Sequence, residues 1–308
     1  MNRTPREPDA AGREPQGAIG VFDSGFGGLT VLKELRARLP QYDYLYLGDS
    51  ARVPYGNRSH DIVYEFTREA VFELFARGCP VVVLACNTAS ARALRRIQQE
   101  DLPKHAPDRR VLGVVRPSAE ALAGLPPGAV PGVTPPTNLR GTVAVLGTEG
   151  TVASNSYGLE LAKLAPNLQL IQRACRLWVA LVEAGETEGA GTDYFIEKDI
   201  APLFERGTES PSRVLLGCTH YPLLLPRLRR LVPAGVEIIT QGPVIAERLQ
   251  DWLARHPEME IRLGRNGDWQ LLTTDEPGWF TAFGERVLGA SCPATKIRLQ
   301  PFRPQPQR

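Results

Sequence analysis

Short apolar runs alternate with longer amphipathic segments along the chain from Ala18 onward. The runs are rich in valine, leucine and isoleucine, a pattern typical of strands that are buried on both faces. Their positions predict strands at 18–22, 44–47, 81–85, 111–115, 143–146, 168–171, 214–216, 236–239 and 271–273.

Between the predicted strands, apolar residues recur three and four positions apart, which is the spacing of one helix face. Leu29, Leu32 and Leu35 begin the first such pattern, and Ile62 and Phe66 begin the second. The predicted helices cover about 29–39, 62–74, 88–99, 154–164 and 245–255. Repeated alternation of strand and helix predicts an α/β protein with parallel sheets, right-handed crossovers and helices on the sheet faces.

The composition of the 308-residue chain limits its partners. Thirty-six basic and thirty-four acidic residues give a formal net charge of +2, so no strong field of one sign favours nucleic acid or a membrane as partner. Apolar runs such as 80–86 are far shorter than the roughly 18 residues of a membrane span. Residues 1–16 are polar and contain no apolar segment, which predicts neither a signal peptide nor an anchor. The sequence therefore predicts a cytoplasmic protein of about two domains.

The cysteines form neither a disulfide pattern nor a metal pattern. Their number is odd and no secretory signal accompanies them, which argues against a disulfide framework. No Cys-x-x-Cys pair occurs, and no histidine stands at a ligand spacing from a cysteine, so we expect no metal. The remaining question is whether a reactive thiol occurs among Cys79, Cys86, Cys175, Cys218 and Cys292.

Two predicted strands run into similar polar motifs, CNT at 86–88 and CTH at 218–220. Ligands of parallel sheets bind beyond the carboxyl ends of the strands. The matched junctions resemble one unit used twice, which predicts that Cys86 and Cys218 face each other across a cleft. A thiol at a helix N-terminus meets unpaired N–H groups and the positive end of the helix dipole, so we expect a lowered thiol pKa. For either cysteine alone, simple packing at a strand end is the alternative.

Two further strand ends are polar in the same way. Strand 18–22 leads into Asp23 and a glycine cluster, and strand 143–146 leads into GTEGT at 147–151. The cluster does not complete a dinucleotide motif, because Thr30 stands at the third glycine position, and we expect no nucleotide cofactor. Asp23 is either a helix N-cap or a carboxylate aimed into the cleft, where it would hold a substrate ammonium or a proton.

Four motifs stand out along the chain: GVFDSGFGGL at 20–29, GDSARVPYG at 48–56, ACNTA at 85–89 and LGCTHYPL at 216–223. Together they resemble the motifs of the glutamate racemases, a family of the aspartate/glutamate racemase superfamily. They occur in the family's order and near its spacing, over roughly residues 18–250.

The resemblance implies a cofactor-independent amino-acid racemase that supplies D-glutamate for peptidoglycan, usually as a homodimer. Cys86 and Cys218 match the family's catalytic thiols, which would act on D-glutamate and on L-glutamate respectively. Asp23 and His220 would assist the thiols, and Glu183 matches a further assisting carboxylate. The positions that match substrate contacts are Asp23, Ser24, Pro54, Tyr55, Gly56, Asn87, Thr88, Thr148, Thr151, Thr219 and His220.

The resemblance also implies two similar α/β domains, related by a pseudo-twofold axis, with the second inserted in the first and the cleft between them. We predict a first domain at 17–115 plus 240–300 and a second at 116–239. A disordered extension is predicted at 1–16, a surface loop or linker at the Pro/Gly-rich stretch 123–140, and a frayed tail at 301–308. The chain departs from the family's usual residues at Arg116, Arg176 and Gln241.

Racemisation removes a proton from one face of Cα and returns one to the other face, so two opposed acid–base groups are the economical solution. Without a cofactor as electron sink, hydrogen-bond donors and the exclusion of water must stabilise the carbanionic state. The alternatives within the superfamily are an aspartate racemase and a one-cysteine decarboxylase, but a decarboxylase needs only one thiol. An amino-acid-binding protein without turnover is the alternative from another class, and it would not need two thiols.

Overall fold

The computed structural model describes residues 16–128, 140–205 and 209–303, which fold into two parallel sheets. The first sheet contains β1 Ile19–Asp23, β2 Tyr44–Gly48, β3 Val81–Leu84, β4 Arg110–Gly113, β9 Trp269–Thr273 and β10 Ala294–Lys296. The second contains β5 Gly141–Gly147, β6 Leu168–Ala174, β7 Arg213–Gly217 and β8 Glu237–Thr240. Every strand pair is parallel, so the predicted α/β class is confirmed.

Helices connect the strands and cover the sheets. The α-helices are α1 Leu29–Arg38, α2 His60–Ala76, α3 Asn87–Arg92, α4 Leu94–Arg96, α5 Leu102–His105, α6 Val115–Leu122, α7 Glu149–Ala153, α8 Ser156–Leu164, α9 Trp178–Glu183, α10 Ala190–Ile200, α11 Leu225–Leu231, α12 Gln241–Arg255, α13 Pro257–Glu260 and α14 Pro277–Leu288. Short 3₁₀ turns lie at Ser50–Arg52, Ala201–Leu203 and Tyr221–Leu224, and a π-helical turn lies at Ile97–Asp101.

The same strand order occurs in both sheets. The first sheet runs β10-β9-β2-β1-β3-β4 and the second runs β6-β5-β7-β8, so β2-β1-β3-β4 corresponds to β6-β5-β7-β8. In each four-strand unit the first strand along the chain is central, and the third strand lies beside it. Cys86 follows β3 and Cys218 follows β7, so the two thiols occupy equivalent places.

Three details of the predicted elements were wrong. The strand predicted at 111–115 ends at Gly113, because Val115 already begins α6. The helix predicted at 88–99 is interrupted between α3 and α4 and continues as the π-helical turn. The edge strand β10 was not predicted, since it has only three residues and two of them are exposed.

The second sheet lies between β4 and β9 along the chain, as expected for an inserted domain. The domain boundaries themselves stay predictions.

The predicted extension, linker and tail lie largely outside the described residues, which omit 1–15, 129–139 and 304–308. Within the predicted tail, Phe302 packs against Phe72 with ring centroids 4.3 Å apart. Among the helices of the described ranges, none has the length and apolar character to span a bilayer.

Candidate active site

The two thiols at the equivalent strand ends line one cavity. Cys86 and Cys218 are each only 6% exposed, and both contribute to a cavity of about 170 Å³. Since β3 belongs to the first sheet and β7 to the second, each sheet supplies one thiol. The structure therefore brings together the two cysteines that the matched motifs singled out.

Most of the predicted site residues line this cavity. They are Ser24, Pro54, Tyr55, Gly56, Cys86, Asn87, Thr88, Thr148, Glu183, Cys218, Thr219 and His220. Asp23 and Thr151 lie behind the lining, where both side chains are buried. The lining residues that were not predicted as site residues are Val53, Asn57, Glu149, Cys175, Arg176 and Val179. Glu149, Cys175 and Arg176 directly follow or adjoin the ends of β5 and β6, so the rule that located the thiols would have found them too.

Cys86 is the N-cap of the short helix α3, and its surroundings favour the protonated thiol. Its Sγ accepts from the backbone N–H of Ala89 at 3.5 Å, and the thiol donates to Ser24 Oγ at 3.4 Å. Burial and the nearby negative charge of Asp23 raise the pKa of Cys86 to about 12, although these two hydrogen bonds lower it. The expected lowering of the thiol pKa was therefore wrong for Cys86, because the loss of hydration outweighs the helix terminus.

Cys218 belongs to a chain of three polar side chains. Its Sγ lies 3.8 Å from Nδ1 of His220, and His220 Nε2 lies 3.2 Å from Oε1 of Glu183. Burial lowers the pKa of His220, but the contacts with Cys218 and Glu183 and the charge of Asp23 outweigh it and raise that pKa to about 10. The raised pKa favours the cationic form of His220 next to the Cys218 sulphur.

The raised pKa of His220 predicts a pH-dependent contribution to stability. The contribution is complete below about pH 6.5, the usual value for an unfolded histidine, and is lost as the pH rises towards 10. In urea denaturation, the free energy of unfolding of the wild type relative to His220→Asn should fall by about 1 kcal/mol per pH unit over this range. The exposed His60→Asn serves as control, and a wild-type advantage that stays constant from pH 6.5 to 10 would contradict the assignment.

Asp23 connects the two thiol environments from behind the cavity. Its carboxylate accepts from the backbone N–H of Gly28 at 3.1 Å and from the Thr219 hydroxyl at 3.4 Å. Burial raises the pKa of Asp23, while the positive charge of His220 and the hydrogen bonds lower it. Of the two predicted roles, Asp23 is not the N-cap of α1, which is Gly28, although it accepts from the Gly28 N–H; towards the cavity, it contacts the lining residue Thr219.

The glycine cluster after β1 allows close contact with the second cysteine motif. A Cβ atom at Gly27 would lie 2.5 Å from both His220 Nδ1 and Thr219 Oγ1, so a side chain there would displace both. The Thr30 hydroxyl donates to the Thr219 carbonyl at 2.9 Å and ties the same segments together. The glycines therefore serve packing between the two halves of the site.

Threonine hydroxyl groups that follow strands of both sheets meet at another side of the cavity. Thr148 Oγ1 lies 3.1 Å from the hydroxyl oxygens of both Thr88 and Thr151. Thr148 also caps α7, since its Oγ1 accepts from the Thr151 N–H at 3.3 Å. Nearby, the Tyr55 hydroxyl donates to the fully buried Asp49 carboxylate at 2.5 Å, which fixes the turn that carries Gly56.

The three residues at which the chain departs from the family's usual sequence have different surroundings. Arg176 lies at the cavity with Nε 2.5 Å from Oε1 of Glu149, and both side chains are largely exposed. Arg116 is half-buried and pairs with Glu120 at 2.8 Å and with Glu160 at 3.0 Å. Gln241 is buried and hydrogen-bonded to Asn87 in the cavity wall.

The chain that forms this cavity, with one thiol from each parallel sheet, is clearly similar to known proteins. A family model for Asp/Glu/hydantoin racemases matches residues 29–249. A glutamate racemase of Ruegeria pomeroyi is 41% identical over 84% of this chain and 92% of its own. A glutamate racemase of Paracoccus denitrificans is 40% identical over 93% of this chain and 98% of its own. The chain therefore belongs to the Asp/Glu/hydantoin racemase family, and within it to the glutamate racemases.

Solved structures share the fold over almost the whole chain. A crystal structure of a glutamate racemase isoform from Bacillus anthracis has a TM-score of 0.79 and 31% identity, covering 92% of this chain and 98% of its own. A glutamate racemase from Francisella tularensis, crystallised in complex with D-glutamate, has a TM-score of 0.78 and 28% identity, covering 93% and 99%.

Proposed function

We propose that this protein interconverts L- and D-glutamate by proton transfer between Cα and two thiols, without a cofactor. The observation that carries the proposal is the presence of Cys86 and Cys218 in one cavity, each from an equivalent strand end. The named activity of the relatives and the D-glutamate in the Francisella tularensis structure support glutamate as the substrate. Neither an aspartate racemase nor a silent binding protein is favoured by these comparisons.

The different surroundings of the thiols suit opposite protonation states. Cys86 is a thiol at neutral pH because of burial and the charge of Asp23, so it can donate a proton. The raised pKa of His220 favours a cation beside the Cys218 sulphur, and this neighbour suits Cys218 to the role of proton acceptor. With L-glutamate, Cys218 removes the Cα proton from one face and Cys86 protonates the opposite face, which yields D-glutamate. With D-glutamate the two thiols exchange roles, for which the Cys86 proton passes to the Asp23 carboxylate and the His220 cation returns a proton to Cys218.

The remaining polar groups of the cavity wall bind and stabilise the substrate. The carbanionic state formed by deprotonation carries negative charge on the α-carboxylate, which requires hydrogen-bond donors in a site that excludes water. Side-chain donors at the cavity wall include Ser24, Asn87, Thr88 and Thr148. A cavity of about 170 Å³ suits a small amino acid rather than a polymer.

Three finer points extend the proposal. We propose that the D-glutamate produced enters peptidoglycan synthesis, that the protein works in the cytoplasm, and that it forms a homodimer. The motifs shared with the glutamate racemases support these points, and cross-linking or light scattering of the purified protein measures its oligomeric state.

The test of the proposed function is racemisation by the purified wild type with no added cofactor. We expect loss of the circular dichroism of L-glutamate and of D-glutamate, with solvent deuterium entering Cα, and far slower change with L-aspartate. The activity should survive dialysis against a chelator and treatment with a carbonyl reagent. Binding of glutamate without deuterium exchange would instead indicate a binding protein, and preference for aspartate would indicate the alternative racemase.

A further inference from the structure

Asn87 in the wall of the cavity belongs to a buried network of four polar side chains. Asn87 begins α3, Ser118 lies on α6, Tyr157 lies on α8 and Gln241 begins α12. All four are at most 3% exposed. The network therefore joins helices that follow strands of both sheets, and it reaches the cavity through Asn87 alone.

Both the oxygen and the nitrogen of the Gln241 amide form hydrogen bonds within this network. Its Oε1 accepts from Asn87 Nδ2 at 2.5 Å. Its Nε2 lies 2.8 Å from Ser118 Oγ and 3.1 Å from both Asn87 Oδ1 and the Tyr157 hydroxyl oxygen, so its two hydrogens are shared among three acceptors. The Tyr157 hydroxyl in turn donates to Asn87 Oδ1 at 2.6 Å. Gln241 thus contacts every other member of the network.

These bonds determine what Asn87 can offer to a ligand. An amide oxygen has two lone pairs, and those of Asn87 are taken by Tyr157 and Gln241. One of the two Nδ2 hydrogens is taken by Gln241. Among the contacts of the described residues, a single N–H of the Asn87 amide is left over. Rotation of the amide by 180° would place two donors opposite the Gln241 and Tyr157 donors, which is unfavourable in a buried site.

We propose that Gln241 is a positioning residue that orients the Asn87 amide so that it presents a hydrogen-bond donor, and no acceptor, to the substrate. A donor matches a carboxylate of glutamate, so this inference rests on the proposed function. Gln241 does not line the cavity and acts through Asn87.

The test is a double-mutant cycle of Asn87→Ala and Gln241→Met in the racemisation assay. Methionine keeps the length of glutamine and removes its hydrogen bonds. We expect Gln241→Met to lower kcat/KM about tenfold. Because Gln241 acts through Asn87, the double variant should lose no more kcat/KM than Asn87→Ala alone.

A matched control separates positioning from a general loss of stability. Thr67→Val removes an equally buried hydrogen bond, to the Val63 carbonyl at 2.7 Å, from a position outside the cavity wall. It should lower the melting temperature and leave kcat/KM unchanged. If Gln241→Met does not fold, Tyr157→Phe removes the other bond to Asn87 Oδ1 and enters the same cycle.

Additive losses in the cycle, or wild-type kcat/KM in Gln241→Met, would overturn the positioning role while the racemase proposal stands. A wild type that racemises no glutamate would overturn the proposed function and this inference with it.

Discussion

Replacing Cys86 or Cys218 by serine should abolish racemisation and lower kcat by at least about 1000-fold, near the upper end of what one acid–base group contributes. The hydroxyl of serine is a far poorer base than a thiol and fills nearly the same space, so the fold should persist. Each variant should still exchange the Cα proton of one enantiomer only, because one thiol remains. Circular dichroism measures racemisation, and deuterium incorporation measures the one-sided exchange.

Cys79→Ala is the matched control for the thiol variants. Cys79 is fully buried in the same core as Cys86 but lies outside the cavity wall. It should keep wild-type kcat, as should Cys292→Ala. Cys175→Ala is a less suitable control because Cys175 lines the cavity. Near wild-type racemisation by either serine variant, or a folded but inactive Cys79→Ala, would show that the thiols were wrongly assigned.

Asp23→Asn and His220→Asn should each slow the two directions of reaction unequally. Each thiol is the base in one direction only, so His220→Asn should lower kcat with L-glutamate most, by about 100-fold, because Cys218 is the base there. Asp23→Asn should act more strongly with D-glutamate, where Cys86 is the base and the carboxylate that accepts its proton is missing. The equilibrium constant between enantiomers is one, so unequal changes in kcat must be matched by unequal changes in KM.

The measurement is kcat and KM of both variants in both directions, with His60→Asn and Asp61→Asn as controls from an exposed helix start. The controls should leave all four constants unchanged. Equal losses in both directions for both variants would contradict local assistance and leave Asp23 and His220 as a scaffold of the site.

The sequence pattern predicts nearly all of the sheet strands because they are buried on both faces and read as unbroken apolar runs. β1, β3 and the end of β5 show this directly. Local patterns fail where tertiary contacts decide the conformation. Val114 and Val115 look like the end of a strand, but they turn into α6 because the parallel partner strand β3 already ends at Leu84.

The site was predictable to the extent that chemistry lies at strand ends. The rule located Cys86, Thr148 and Cys218, and the family motifs supplied Tyr55 and Glu183. The strand-end rule did not predict the pKa of the Cys86 thiol, because that pKa depends on burial, and burial depends on the whole fold. The buried role of Gln241 was equally hidden, since its partner Asn87 lies 154 residues away along the chain.

The cluster of Thr88, Thr148 and Thr151 bears on how one pocket can accommodate mirror images. In each of its contacts either hydroxyl can be the donor, so the direction of every bond reverses when a proton rotates about a C–O bond. L- and D-glutamate exchange the positions of hydrogen and other groups at Cα, and so demand different arrays of donors and acceptors. Under the proposed function, rotation of these hydroxyl protons would let the cluster adjust to either enantiomer while its oxygen and carbon atoms stay in place.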